Sequence, residues 1–122
     1  MYDKVSAWLD DIFNKNIPDS VVSICFNLYE DGDDSWSLEV VGCSSFDSDD
    51  PNWACDEVTD FETRDEPFVW TDEASWEKVL DDITKLLYKY IQEGKASKYL
   101  NSLKGLAVGF VDGDLNSLSE RT

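Results

Sequence analysis

The feature that most constrains the fold of this chain is an apolar stripe that begins at Trp76. Its apolar side chains recur at spacings of three and four residues, which places them on one side of an α-helix. The stripe consists of Trp76, Val79, Leu80, Ile83, Leu86, Leu87, Tyr90 and Ile91. Thr71 or Asp72 is suited to cap the N-terminus, and Gly94 marks the end. The sequence therefore predicts a long helix over residues 72–93 that must pack against an apolar surface.

Two segments nearer the N-terminus supply such a surface, because apolar and polar side chains alternate along both of them. Alternation with a period of two places the apolar residues on one face of a β-strand. A short loop that contains Gly32 joins the two segments, as in an antiparallel hairpin. The apolar positions are Val22, Ile24, Phe26 and Leu28 in the first segment and Trp36, Leu38 and Val40 in the second.

The remaining elements are shorter. Residues 2–14 have the apolar spacing of an amphipathic helix. A third strand is predicted within 53–61, and residues 68–70 form either a short fourth strand or a buried loop. A short helix over 95–104 precedes a strand over 106–111 that is apolar on both faces, as is typical of a central strand.

These elements predict the α+β class. We expect one domain over residues 1–122, with an antiparallel sheet of about four to five strands. The N-terminal helix and the long second helix are expected to pack on one face of that sheet.

Charge is distributed very unevenly along the chain. The 122 residues contain 27 acids and 10 bases, for a net charge of −17. The segment from Glu30 to Glu73 holds 16 of the acids and one base, so it carries −15 of that charge. Such a surface repels nucleic-acid phosphate and anionic membranes, and it attracts basic proteins. The simpler alternative is that these acids are well-solvated loops; under either interpretation their side chains are expected outside the core.

Few residues point to catalysis or to a cofactor. The chain has no histidine, which excludes histidine-based triads and the usual zinc sites. It also lacks nucleotide-binding glycine motifs, and its three cysteines, Cys25, Cys43 and Cys55, lack metal or redox spacing. We therefore expect a protein that is not an enzyme and needs no cofactor or metal, with reduced and largely buried cysteines. A calcium or magnesium site unlike an EF-hand and a carboxylate-pair enzyme are the alternatives that the sequence leaves open.

The most acidic short stretch is Glu30–Asp34, with four carboxylates in five residues. A loop that starts at Asp31 lacks glycine at the sixth position, so it does not match an EF-hand. Asp31-Gly32 has the composition of a hairpin turn. Glu30, Asp33 and Asp34 then exceed what the turn requires, and we interpret them as part of a binding surface.

Three stretches, CFNLYEDGDDSWSLEVVG, DDPNWACDEV and GLAVGFVDGDL, resemble small immunity proteins of bacterial polymorphic toxin and contact-dependent growth inhibition systems. The resemblance extends from about Cys25 to Leu115. It implies a cytosolic antidote that binds one cognate toxin domain, often a nuclease, and blocks its active site or substrate surface. Such proteins share no catalytic residues, so none is transferred to this chain.

Charge supports the same partner independently, because a nuclease needs basic residues to hold phosphates and an acidic protein is complementary to them. Trp53, which lies between acids, is the candidate aromatic anchor, and the other interpretation is that it packs within the core or a loop. The alternative to an immunity protein is an acidic, nucleic-acid-mimicking adaptor that regulates a host nucleic-acid-binding protein. The residues predicted to bind the partner are Glu30, Asp31, Asp33, Asp34, Asp47, Asp49, Asp50, Trp53, Asp56, Glu57, Asp60 and Glu62.

A cytoplasmic location is expected from the same sequence. The N-terminal stretch MYDKVSAWLDD lacks the apolar run of a signal peptide. The longest apolar run, Gly105–Val111, is too short to span a membrane. Direct contact with nucleic acid or membrane is not expected, and the sequence does not define an oligomeric state.

Overall fold

A computed structural model of the protein describes residues 2–15, 17–46, 57–63, 66–110 and 116–118. The helices in this part of the chain are α1 (Tyr2–Phe13), α2 (Trp76–Glu93) and α3 (Ser97–Ser102). The strands are β1 (Ser23–Gly32), β2 (Ser35–Cys43), β3 (Glu57–Glu62), β4 (Phe68–Thr71), β5 (Gly105–Phe110) and β6 (Asn116–Ser117). The predicted α+β class is confirmed, and of the two predictions for residues 68–70 the strand is the one observed.

The described strands form one six-stranded sheet. Its order is β3-β2-β1-β5-β6, and β4 also pairs with β2. Strands β1 and β2 form the predicted antiparallel hairpin, with Leu28 opposite Leu38. Strand β5 runs parallel to β1, with Phe26 opposite Val108. The sheet is therefore mixed, and the prediction of a purely antiparallel sheet is wrong at this pair. The alternation of apolar and polar residues identifies a strand but not whether it runs parallel or antiparallel to its neighbour. Here the long crossover through α2 allows β5 to run parallel to β1.

One face of the sheet carries the main apolar core. Inward-facing side chains of β1, β2 and β5 contact the apolar stripes of α1 and α2 in a single buried cluster. Its largest fully buried members include Trp36, Tyr90 and Phe26. The predicted packing of the N-terminal helix and the long helix against the sheet is confirmed.

The opposite face of the sheet is also buried in part. Cys25, Val41, Cys43 and Ala107 form a second small cluster, against which Phe46 packs. A methyl group at Gly105 would overlap the ring of Phe46, so glycine permits this close approach. Cys25 and Cys43 are buried, as predicted. Cys55 lies outside the described residues.

Helix α2 begins later than predicted. Ser75 is its N-cap, and the Ser75 side chain accepts a hydrogen bond from the backbone N–H of Lys78 at 3.3 Å. The prediction of Thr71 or Asp72 as the cap is wrong, because Thr71 belongs to β4 and pairs with Ser35. The backbone N–H of Asp72 is also engaged, since it donates to the carbonyl oxygen of Asp34.

A buried tyrosine connects the two long helices. The Tyr90 hydroxyl, on α2, donates to the Asp10 carboxylate on α1 at 2.7 Å. Burial, together with this hydrogen bond, raises the pKa of Tyr90 well above its usual range. The bond satisfies the phenol within the core and fixes the spacing between α1 and α2.

Candidate protein-binding surface

The tip of the β1–β2 hairpin is built from acidic residues in an unusual backbone conformation. Gly32 pairs with Ser35, which leaves Asp33 and Asp34 as the two loop residues. Their φ angles are 52° and 60°, and the φ angle of Gly32 is 90°. Positive φ at both loop positions is the signature of a type I′ turn, which tolerates aspartate and asparagine better than most residues.

The predicted position of the turn is therefore wrong by two residues. Asp31 and Gly32 belong to β1, and Asp31 is the extra residue where the pairing with β2 shifts between Glu30 and Gly32. Asp33 and Asp34 are not surplus to the turn, because they form it. The Asp-Gly pair marks a bulge just before the turn, where glycine accommodates the positive φ.

All four predicted acids of the hairpin face solvent. Glu30, Asp31, Asp33 and Asp34 are exposed, and within the described ranges no base forms an ion pair with them. A tight hairpin attached to a buried strand pair holds these carboxylates at one end of the sheet. Their charge is therefore concentrated on one projection of the sheet.

A second acidic segment lies beside the hairpin. The Asp72 N–H donates to the Asp34 carbonyl at 2.9 Å, and the indole N–H of Trp36 donates to the Asp72 carbonyl at 3.0 Å. These bonds hold the end of β4 against the turn, so Asp72 and the exposed Glu73 join the hairpin acids. We call this set, Glu30, Asp31, Asp33, Asp34, Asp72 and Glu73, the acidic tip.

An exposed aromatic residue follows the acidic tip in the chain. Trp76, the first residue of α2, is 54% exposed. Its ring meets Phe110 edge-on with a centroid distance of 6.1 Å, and Phe110 in turn meets Trp36, whose centroid lies 5.9 Å away. Trp36 is a buried residue of β2, so this row of rings supports Trp76 from the core.

Sequence reasoning assigned Trp76 to the buried stripe of the helix, and that assignment is wrong. Its spacing fits the stripe, but the helix starts at this residue, so its side chain projects past the end of the core. An aromatic residue directly after a cap, with acids just before it, is the signal that could have identified it.

The other predicted partner-binding residues are placed only in part. Asp47, Asp49, Asp50, Trp53 and Asp56 lie outside the described residues. Strand β3 carries Glu57, Asp60 and Glu62, and Glu62 pairs with Val41 while Glu57 pairs with Cys43. Val41 is six residues along β2 from Ser35 at the turn, or roughly 20 Å at the rise of a strand. Strand β3 thus pairs with β2, as β4 does, but it lies apart from the acidic tip.

One acid of the charged segment is not on the surface at all. Glu39 is 3% exposed, so the expectation that every acid of this segment lies outside is wrong. Its carboxylate accepts hydrogen bonds from the Asn27 side chain at 3.0 Å and from the Tyr29 hydroxyl at 2.6 Å. The Cys25 thiol contacts the Asn27 amide oxygen at 3.1 Å. Buried carboxylates require such donors, and Glu39 therefore has a structural role on the second face.

Helix α2 compensates its own charges locally. Lys78 lies 2.7 Å from Asp82, Lys85 lies 2.8 Å from Asp81, and Lys89 lies 3.7 Å from Glu93. Hydrogen bonds to these carboxylates raise the pKa values of Lys78 and Lys85. Both lysines are paired with acids of the same helix, so α2 carries little uncompensated charge, unlike the acidic tip.

Metal-ligand groups and surface depressions are two other kinds of candidate site. In the described ranges, no group of three or more cysteine, aspartate or glutamate side chains is arranged to hold a metal ion. A depression of about 280 Å³ lies between the end of α1 and the α2–α3 connection, and its lining includes Asp10, Asp11 and Lys95. The lining of this depression includes no residue of the acidic tip.

Comparison with known proteins adds no relatives: no family model, no curated protein and no solved structure matches this chain. The helices of the described residues include none with the length and apolar composition needed to cross a membrane.

Proposed function

We propose that this protein is an immunity protein that binds and neutralises a basic toxin domain of the nuclease class in the cytoplasm. The observation that supports the proposal most strongly is the acidic tip, in which two separate acidic segments are held together by the bond between Asp72 and Asp34. A nuclease presents a basic surface of complementary charge, since it must hold phosphates. The acidic tip would cover that surface or the active site within it.

Two properties of the tip suit an inhibitor. The paired strands of the hairpin fix the backbone of these acids before binding, which lowers the entropic cost of association. Exposed charges of one sign also accelerate the encounter with a partner of opposite charge.

Trp76 supplies an apolar contact that can prolong the lifetime of the complex, which charge alone does not. Electrostatic attraction raises the association rate, but residence time depends on buried contacts. A half-exposed tryptophan supported by Phe110 offers a large, pre-ordered apolar area next to the acids. Tryptophan is among the residues enriched at interface hot spots, so Trp76 is the proposed anchor of the complex.

The alternative function, an acidic adaptor that mimics nucleic acid, differs in selectivity. An adaptor would bind several basic proteins, and its affinity would fall steeply with salt. An immunity protein with an apolar anchor binds one partner tightly, and much of that affinity survives at high salt.

The proposal is tested by co-expressing the tagged protein with the product of the neighbouring gene. We expect that product to be basic and toxic when expressed alone, to co-purify with this protein through a high-salt wash, and to lose its toxicity in the complex. A neighbouring product that is acidic, harmless and not retained would contradict the proposal. Retention of many host nucleic-acid-binding proteins instead would support the adaptor.

A further inference from the structure

Strand β4 has one paired edge and one open edge. It pairs with β2 in antiparallel register, with Trp36 opposite Trp70 and Ser37 opposite Val69. The bond from the Asp72 N–H to the Asp34 carbonyl shows which residues of β4 direct their backbone groups toward β2. These groups alternate in direction along an antiparallel strand. The backbone N–H and C=O groups of Phe68, Trp70 and Asp72 therefore point toward β2. Val69 and Thr71 therefore point their N–H and C=O groups the other way.

Nothing among the described residues pairs with that outer edge. The backbone hydrogen bonds of the described loops and turns include none to Val69 or Thr71. Val69 is 57% exposed and Thr71 is also exposed, so the strand presents β-branched side chains next to its open backbone groups. An open edge of this kind is a template for a further strand.

The charge around the edge selects the kind of strand that can add to it. Asp72, Glu73 and the hairpin acids lie at one end of β4, and the exposed Glu66 precedes it at the other. A second copy of this chain would bring the same acids against them, and like charges placed opposite each other are unfavourable. An extended segment that carries lysine or arginine meets opposite charge at both ends of the strand.

We propose that the outer edge of β4 accepts an extended, basic segment of the partner protein as an additional strand of the sheet. The N–H groups of Val69 and Thr71 donate to the carbonyl oxygens of the added strand, and their own carbonyl oxygens accept its N–H groups. The exposed Val69 side chain packs against an apolar residue of the segment, and its basic residues lie near the acids at the two ends. The basic charge of the partner rests on the proposed function, whereas the strand pairing rests on the open edge alone.

The test uses the full chain and a short synthetic peptide of alternating lysine and valine. Amide hydrogen exchange, followed by NMR, is expected to slow by about fivefold or more at Val69 and Thr71 when the peptide is added, as a net backbone hydrogen bond would give. The same peptide with alternate amides N-methylated keeps its charge but loses one hydrogen-bonding edge. Its affinity should therefore be about fivefold or more below that of the unmethylated peptide. A peptide of alternating glutamate and valine should bind more weakly than both.

Two variants separate the backbone from the side chain. Val69→Pro removes an outward N–H that does not bond to β2, and proline is tolerated on edge strands. This variant should lose most of the peptide affinity, while Val69→Thr keeps the N–H and should retain it. If Val69→Pro proves unfolded, the comparison of the N-methylated peptide with its parent still decides.

Several results would overturn the inference. These are unchanged exchange at Val69 and Thr71 with peptide bound, equal binding of the N-methylated peptide, or protection of both amides in the free protein through self-association. Edge protection without a toxic neighbouring gene product would leave the strand pairing intact and overturn the proposed function. Co-purification of a toxin without protection of the edge amides would support the proposed function and overturn the strand pairing.

Discussion

The backbone N–H of Asp72 donates to the carbonyl oxygen of Asp34 at 2.9 Å. This bond joins the end of β4 to the turn of the β1–β2 hairpin and gathers acids from two distant parts of the sequence. The Trp36 indole N–H, which donates to the Asp72 carbonyl, secures the same corner from within the core. The acidic tip is thus a product of the fold and not only of local composition.

The positive φ angles of the hairpin turn predict a selective effect of substitution at Asp34. Asp34→Val should lower the free energy of unfolding by about 1–2 kcal/mol, because a β-branched residue is strained in the left-handed region. Asp34→Asn should change it by less than about 0.5 kcal/mol, because asparagine tolerates that region. Urea unfolding of the two variants measures the difference. Equal stabilities would contradict the assignment of Asp34 to the turn.

The hairpin also shows what sequence reasoning could and could not provide. Alternation from Val22 to Val40 predicted both strands, because one buried face leaves a local pattern. The turn was misplaced, since Asp-Gly is a common signal for both turns and bulges and the pairing register decides between them. The register depends on which side chains pack together, and the local sequence does not specify it.

Other features depended on contacts between distant segments. The parallel pairing of β1 with β5, the bond between Asp72 and Asp34 and the burial of Glu39 each involve residues far apart in the chain. Long helices fared better: the stripe of α2 predicted its buried residues Val79, Ile83 and Leu87, because helix periodicity is local. The start of α2 at Trp76 was not predicted, because the pairing of β4 with β2 determines where the helix can begin.

The buried carboxylate of Glu39 predicts a contrast between two substitutions. Glu39→Ala removes the acceptor of the Asn27 amide and the Tyr29 hydroxyl, so it should cost about 1–3 kcal/mol of unfolding free energy. Glu39→Gln retains an acceptor oxygen and should cost less. The exposed Glu30→Ala serves as the control and should change the unfolding free energy by less than about 0.5 kcal/mol. A Glu39→Ala variant as stable as the control would contradict the structural role of Glu39.

The raised pKa of Tyr90 predicts loss of stability at alkaline pH. The folded state holds the phenolic proton more tightly than the unfolded state, so the contribution is complete below the unfolded pKa of about 10 and declines as pH rises above it. Tyr90→Phe should remove much of this decline and should cost about 0.5–1.5 kcal/mol near neutral pH through loss of the Asp10 hydrogen bond. Denaturant unfolding from neutral to alkaline pH measures both effects. An alkaline decline as steep as in the unmodified protein would show that Tyr90 is not its source.

The exposure of Trp76 predicts that this residue controls the lifetime of the proposed complex. Trp76→Ala should weaken binding of the toxin domain by about 2 kcal/mol or more, through faster dissociation and with little change in association rate. Trp76→Phe should retain part of the affinity, because it keeps an aromatic contact. Surface plasmon resonance separates the two rates. An unchanged dissociation rate for Trp76→Ala would place the anchor elsewhere.

The central claim is that the acidic tip, and not total charge, recognises a basic partner. Stopped-flow association with the toxin domain tests it by comparing the variant Asp31→Asn, Asp33→Asn, Asp34→Asn with a control of equal charge change, Asp3→Asn, Asp11→Asn, Asp19→Asn, whose three acids are also exposed. We expect the tip variant to associate about tenfold more slowly at low salt and the control to change much less, with the difference shrinking as salt screens the charges. Equal rates for the two variants would contradict the claim.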